Sequence, residues 1–274
     1  MSQQSNSSKS QAAAPPKSNN LFSLLAIPAA FVISLCIFLF VLGDASHFEA
    51  NGHPKQGDYF GMVYKGGFIV PILMTCFLTV LIFCIERYLT ISKASGSGSV
   101  SDFVRKVKFS LESNDVDGAI SACDKQRGSV ANVVRASLQK YKEMQKDTNL
   151  DTEQKVLAIR KEIEESTSLE LPMLEKNLVI LATLASVATL LGLLGTVFGM
   201  IRSFAALGNS GGATDAAALS TGISEALINT ALGIGTSAIA IIMYNVFTTR
   251  IDKLTYGIDE AGFSIAETFA SKYK

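Results

Sequence analysis

Residues 216–249 decide the class of fold, and their sequence is AAALSTGISEALINTALGIGTSAIAIIMYNVFTT. Glu225 is the only charged residue in this stretch. A carboxylate inside a membrane helix costs roughly 2.5–3.5 kcal/mol on insertion scales, so it usually persists where it pairs, protonates or lines a polar path. The stretch therefore predicts a membrane helix in which Glu225 handles ions. The structural alternative is a protonated Glu225 that only hydrogen-bonds a neighbouring helix.

The composition of the whole chain is that of a membrane protein. Of its 274 residues, 48% are hydrophobic and 18% are charged, and the mean hydropathy is +0.31. The 24 basic and 24 acidic residues balance and form no basic cluster, which argues against nucleic acid as a partner. The four cysteines and two histidines lack the spacing of metal ligands, so we expect no metal and no cofactor. The sequence also has no phosphate-binding loop and no nucleophile motif beside a histidine, so we do not expect an enzyme.

Apolar runs divide the chain into four candidate membrane helices. These runs are residues 21–42, 66–91, 177–207 and 216–249. The polar segments around them are a disordered tail (1–20), loops (43–65 and 208–215), a helical domain (92–176) and a C-terminal tail (250–274). Residues 21–42 can instead be a cleaved signal peptide, which would leave three membrane helices.

The last apolar run is longer than a bilayer requires. As one helix it would measure about 50 Å, against a hydrocarbon core of about 30 Å. We therefore expect an all-α integral membrane protein whose long helices extend into the helical domain.

Lysines and arginines predict how the chain crosses the membrane. Residues 92–176 contain 14 of the 24, residues 43–65 contain two, and residues 208–215 contain none. Because basic residues favour the inner side, the helical domain and the C-terminal tail are predicted to be cytoplasmic. The loops at 43–65 and 208–215 are then periplasmic.

Small residues recur on the last two membrane helices. The glycines that we assign to helix packing are Gly192, Gly195, Gly199, Gly222 and Gly233. Small side chains let membrane helices approach closely, so both helices are expected to pack against protein over most of their surface. The pattern predicts a homo-oligomer.

Polar residues follow Glu225 along one side of its helix. On an ideal helix, Thr221, Asn229 and Thr236 lie within about 40° of one line through Glu225. This stripe is a candidate proton path. A threonine in a membrane helix often bonds only its own backbone, so each threonine alone is more simply structural.

The same segments resemble the proton-channel family of ExbB, TolQ and MotA, and its ExbB members most closely. The resemblance extends from about Gly66 to the C-terminus. The motifs are Gly192-Leu-Leu-Gly-Thr196-Val-Phe-Gly199, Gly222-Ile-Ser-Glu225-Ala-Leu-Ile-Asn-Thr230-Ala-Leu-Gly233 and Tyr244-Asn245-Val246. It implies that Glu225 is the essential membrane carboxylate and that Thr196 and Thr230 are polar pore residues.

Two features depart from the family pattern, and one residue assignment conflicts with helix geometry. Thr221 stands where many relatives carry a proline, and residues 21–42 are an extra apolar run. On a straight helix Thr230 lies about 140° from Glu225, so Thr230 can face a neighbouring helix instead.

The resemblance also implies an assembly and a function. The family forms a pentamer in the bacterial inner membrane, surrounded by lipid, around an ExbD-like single-helix subunit. Protons moving through it drive a TonB-like transducer that energises outer-membrane transport. The alternatives are a TolQ-like Tol-Pal or gliding-type motor, a solute transporter, and a passive scaffold. A transporter is disfavoured because the two halves of the chain show no repeat, and a scaffold would not need Glu225.

Overall fold

The computed structural model describes residues 20–50, 53–55, 57–209 and 216–273. Within these residues the regular elements are helices, apart from an isolated bridge between Phe48 and Pro54. Four stretches are long and apolar enough to cross a membrane, with mean hydropathies of 2.8, 2.4, 2.3 and 1.8 in chain order. The prediction of an all-helical fold with four membrane-capable helices is confirmed.

Nine α-helices make up most of the described chain. They are α1 (Asn20–Cys36, continued by a π-helical segment at Ile37–Leu42), α2 (Tyr59–Lys65), α3 (Ile69–Ser95), α4 (Val100–Glu112), α5 (Val116–Gln126), α6 (Gly128–Lys146), α7 (Thr152–Glu175), α8 (Leu178–Asn209) and α9 (Ala216–Lys272). The four membrane-capable stretches contain α1, α3, α8 and α9.

The antiparallel pair of α8 and α9 is the most extensive helix contact, and we call it the hairpin. Its two backbones approach closely: a Cβ atom on Gly233 would lie 2.9 Å from the Cα atom of Gly192. A Cβ atom on Gly199 would overlap that of Ala226. These glycines, from which the sequence predicts an oligomer, therefore have packing partners within the same chain. Helix α3 packs on both helices of the hairpin, and α1 packs on α3.

Helices α4–α7 and the C-terminal half of α9 form one cluster, which we call the polar domain. Its helices are amphipathic, and their apolar sides meet in a core that fully buries Leu138, Ile159 and Phe269. Residues 250–272, which the sequence separates as a C-terminal tail, continue α9 without a break. They join this core because apolar side chains recur every three or four residues among their charges.

A partly buried ion pair lies where the polar domain meets the membrane helices. The side chain of Arg87 on α3 is 2% exposed and donates from Nε to Oε2 of Glu86 at 2.6 Å. Arg87 also donates to the carbonyl oxygen of Leu174 near the end of α7, at 3.3 Å. The side chain of Asn177, whose φ of 65° marks the break between α7 and α8, donates to Glu86 at 3.2 Å. This network fastens α3 to the junction of α7 and α8.

Candidate functional site

Glu225 lines a cavity of about 230 Å³ between α3 and the hairpin. Pockets for drug-sized ligands measure roughly 300–1,000 Å³, so this cavity suits a group of water molecules better than a large solute. Its lining residues include His53 and Lys65 from the segment before α3, Arg202 from α8, and Glu225 and Asn229 from α9. The carboxylate therefore borders a space that can hold a few water molecules.

Basic side chains share this cavity with Glu225. Arg202 extends from the hairpin end of α8, Lys65 ends α2, and His53 lies in the preceding loop. A carboxylate in a membrane protein is usually retained near such countercharges. Glu225 is therefore isolated along the sequence of α9 but not in space.

The three basic residues were not among the residues that the sequence assigns to the site. Arg202 lies about two turns from the end of α8, and Glu225 lies about two to three turns from the start of α9. Counting from the ends of the two antiparallel helices would have placed Arg202 within about one turn of Glu225. The sequence has no such pattern for His53 or Lys65, because their position depends on how the segment before α3 folds back onto the hairpin.

Asn229 lies one turn from Glu225 and lines the same cavity. Its side chain is 2% exposed, and its Nδ2 atom donates to the carbonyl oxygen of Gly66 at 3.0 Å. Its Oδ1 atom accepts no hydrogen bond from the described residues. A buried amide oxygen without a partner is costly. A water molecule in the cavity would satisfy it.

The other predicted polar residues lie elsewhere on the hairpin. Thr196 donates to Leu193 at 2.6 Å and Thr236 donates to Leu232 at 2.8 Å, each within its own helix. Thr230 donates to the carbonyl oxygen of Gly192 at 3.1 Å and so joins α9 to α8, as the helix geometry suggested.

Of the polar residues predicted beside Glu225, Asn229 is the one that the described structure brings into its cavity. The side chain of Thr221 lies outside the part of the structure that is described.

The predicted packing glycines lie in the wall of the cavity and deeper in the hairpin. Gly195, Gly199 and Gly222 line the cavity itself. Gly192 and Gly233 lie deeper in the hairpin, where a Cβ atom on Gly192 would be 3.0 Å from the carbonyl oxygen of Asn229. Close helix packing therefore fixes the backbone of α9 on which Glu225 and Asn229 stand.

The second half of the chain is similar to a known protein family. Residues 126–260 match the model of the MotA/TolQ/ExbB proton channel family. This range includes Arg202, Glu225 and Asn229, whereas His53 and Lys65 precede it.

Individual relatives carry the names ExbB and TolQ. An ExbB-like biopolymer transport protein of Synechocystis is 38% identical over 86 residues, which are 31% of this chain and 41% of that protein. The Tol-Pal system protein TolQ of Pseudomonas aeruginosa is 33% identical over 125 residues, 46% of this chain and 54% of that protein. The biopolymer transport protein ExbB of Pseudomonas putida is 42% identical over 72 residues, 26% of this chain and 22% of that protein. The chain thus spans about half or less of the length of these relatives.

Proposed function

We propose that this chain, a multi-pass inner-membrane protein whose residues 126–260 form a domain of the MotA/TolQ/ExbB proton channel family, is the channel subunit of a proton-driven motor. The observation that carries the proposal is the cavity that Glu225 lines together with Asn229, whose amide oxygen accepts no hydrogen bond from the described residues. A carboxylate beside water can take up and release a proton. A passive scaffold would have no use for this arrangement.

In this mechanism, Glu225 alternates between a neutral and a charged form. Moving one charge across a membrane potential supplies about 2.3 kcal/mol per 100 mV, similar to the roughly 2.5–3.5 kcal/mol cost of a carboxylate in the membrane. One proton can therefore drive one change of state. Helix α9 carries Glu225 and continues without a break into the polar domain, so it would transmit the movement.

The proposed assembly is a homopentamer around an ExbD-like single-helix subunit, with a TonB-like transducer as the receiver of the work. Outer-membrane transport is our first choice of driven process. A TolQ-like role in a Tol-Pal or gliding-type system is the second, because relatives of both the ExbB and TolQ kinds match the chain. Thr196, Thr230 and Thr236 are proposed to act further along the proton path, and Thr221 near its outer end.

The test of the proposal is substitution of the carboxyl group by an amide. Glu225→Gln keeps the size and hydrogen-bonding capacity of the side chain but cannot ionise, so we expect normal assembly and loss of proton-driven activity. Glu225→Asp should retain part of the activity. Glu112→Gln, an exposed position in the polar domain, is the matched control and should behave as wild type. Activity is measured as proton uptake by proteoliposomes that contain this chain and its single-helix partner.

Each outcome of this experiment separates two functions. Wild-type proton uptake in Glu225→Gln, at normal expression, would exclude the motor and leave a scaffold. If both Glu225→Gln and Glu225→Asp fail to assemble, Glu225 is a structural residue.

A further inference from the structure

A short segment lines the Glu225 cavity at the point where α2 joins α3. We call residues 65–68 the cover: Lys65, Gly66, Gly67 and Phe68, which join α2 to α3. Lys65, Gly66 and Phe68 line the cavity. The cover therefore forms one wall of the cavity that Glu225 and Asn229 also line.

A few polar and aromatic contacts attach the cover to the hairpin. The carbonyl oxygen of Gly66 accepts the hydrogen bond from Asn229. The ring of Phe68 meets that of Phe198 edge to face at 5.6 Å, and the guanidinium carbon of Arg202 lies 5.7 Å from the centre of the Phe68 ring. Contacts of this kind are individually weak and can form and break without unfolding the helices around them.

The backbone of the cover is suited to movement. Gly67 has a φ of 81°, which a residue with a side chain rarely adopts, and a Cβ atom there would lie 3.1 Å from the Arg202 side chain. Gly66 precedes it, so two consecutive glycines connect α2 with the membrane helix α3. Paired glycines at the end of an element can absorb the backbone rotation that a hinged segment needs.

We propose that the cover is a lid on the Glu225 cavity, and that its opening admits the proton from the hairpin side of the membrane. The closed lid places Lys65 at the cavity beside Arg202 and His53, so that the lysine and the arginine are countercharges to Glu225. Opening removes Lys65 and the Phe68 ring together and connects the cavity with water outside. This inference rests on the proposed proton-motor function. It adds that access to the carboxylate is regulated, because it requires movement of residues 65–68, which precede the residues that match the family.

The first test measures access to the cavity and does not depend on proton transport. Ser203 lines the cavity and is 6% exposed, so Ser203→Cys reports on its interior in a variant without the four native cysteines. We expect a small charged methanethiosulfonate added to intact cells to modify Ser203→Cys at least about tenfold more slowly than the exposed loop position Ser46→Cys. Phe68→Ala or Arg202→Gln should each accelerate modification of Ser203→Cys and leave that of Ser46→Cys unchanged.

The second test locks the lid. Phe68→Cys with Phe198→Cys places two partly exposed thiols on opposite sides of the cover contact, where a short, reducible bismethanethiosulfonate reagent can join them. We expect the cross-link to stop proton uptake by proteoliposomes that hold the full complex, and a reducing agent to restore it. The two single-cysteine variants, treated with the same reagent, are the controls for modification without a bridge.

The outcomes distinguish the lid from the motor. Equal rates of modification at Ser203→Cys and Ser46→Cys would show an open cavity and overturn the lid. Unchanged proton uptake by the cross-linked protein, while Glu225→Gln is inactive, would also overturn the lid but leave the motor intact. Proton uptake that is the same in wild type and Glu225→Gln would reject the motor, and the modification rates would still decide whether the cavity is covered.

Discussion

Glycines on the hairpin differ in what an added methyl group would meet. A Cβ atom on Gly199 would overlap that of Ala226, whereas a Cβ atom on Gly235 has no described atom within 4 Å. Gly199→Ala should therefore lower the free energy of unfolding by about 1–3 kcal/mol through overpacking. Gly235→Ala should raise it by up to about 1 kcal/mol, because alanine favours the helix.

The matched pair is compared by thermal unfolding in mild detergent, where the two melting temperatures should move in opposite directions. A fall in both would indicate that the Gly235 side of α9 packs against another copy of the chain in the assembled protein.

Part of the site was predictable residue by residue. Glu225 and Asn229 stand out because a lone charge and an amide one turn apart are visible in the sequence of one helix. Lys65 and His53 are not visible in this way, since the hydrogen bond that holds their segment joins Asn229 to Gly66, 163 residues away. The contribution of Thr196 and Thr236 stays a prediction, because in the structure each bonds its own helix.

At the scale of elements, the junction of α3 with α7 and α8 depends on one buried cation. Arg87→Met would remove the ion-pair partner of Glu86 and the donor to two carbonyl oxygens at the end of α7. Because the Arg87 side chain is 2% exposed, we expect a loss of about 3 kcal/mol of stability. Arg105→Met breaks the ion pair with Asp102, whose side chains are 80% and 57% exposed, and should cost at most about 1 kcal/mol.

Chemical denaturation followed by circular dichroism measures both variants. Equal losses of stability in Arg87→Met and Arg105→Met would contradict the larger stabilisation that we expect from the contacts of Arg87.

The segment before α2 should respond to acid. Asp58 caps α2 through the backbone nitrogen of Phe60 at 2.9 Å and pairs with Nδ1 of His47 at 2.7 Å. The hydrogen bond with His47 holds the pKa of Asp58 below its usual value of 3.8. A lowered pKa means that the charged carboxylate stabilises the folded segment above pH 3.8 and that this contribution is lost as the pH falls through the lowered pKa.

Limited pepsin digestion below about pH 4 tests this response, with Asp58→Asn as the comparison because asparagine still caps a helix. The variant should be cleaved between α1 and α3 at about pH 4, where wild type resists. The two proteins should become alike near pH 2. Identical cleavage at both pH values would show that the charge of Asp58 does not hold the segment.

The helices themselves were largely predictable because length and hydropathy are properties of a continuous stretch. The continuation of α9 through residues 250–272 is also visible in the apolar spacing of these residues, although their polar composition predicts a separate tail. The break between α7 and α8 at Asn177 was harder to predict. A proline usually ends a helix, but α7 continues past Pro172 to Glu175 before the chain breaks at Asn177.

At the scale of the whole molecule, the loop before α3 lies at one end, beside the C-terminal part of α8 and the N-terminal part of α9, and the polar domain lies at the other end. The concentration of lysines and arginines in residues 92–176 predicts that the polar domain is cytoplasmic. In a variant without native cysteines, Ser46→Cys should react with an impermeant maleimide added to intact cells, whereas Ser113→Cys should react only after lysis. Labelling of Ser113→Cys in intact cells would reverse the orientation.

Helix α9 also makes the molecule a lever. From Glu225 to Lys272 it is one unbroken helix, which at 1.5 Å per residue measures about 70 Å. A tilt of about 5° at the carboxylate would therefore sweep the far end through roughly 6 Å, carrying along the helices packed on it. Coupling between two sites is reciprocal. A protein that binds the far end of α9 would therefore change the protonation equilibrium of Glu225. In the proposed motor, a partner bound at the far end would therefore change the rate of proton flow.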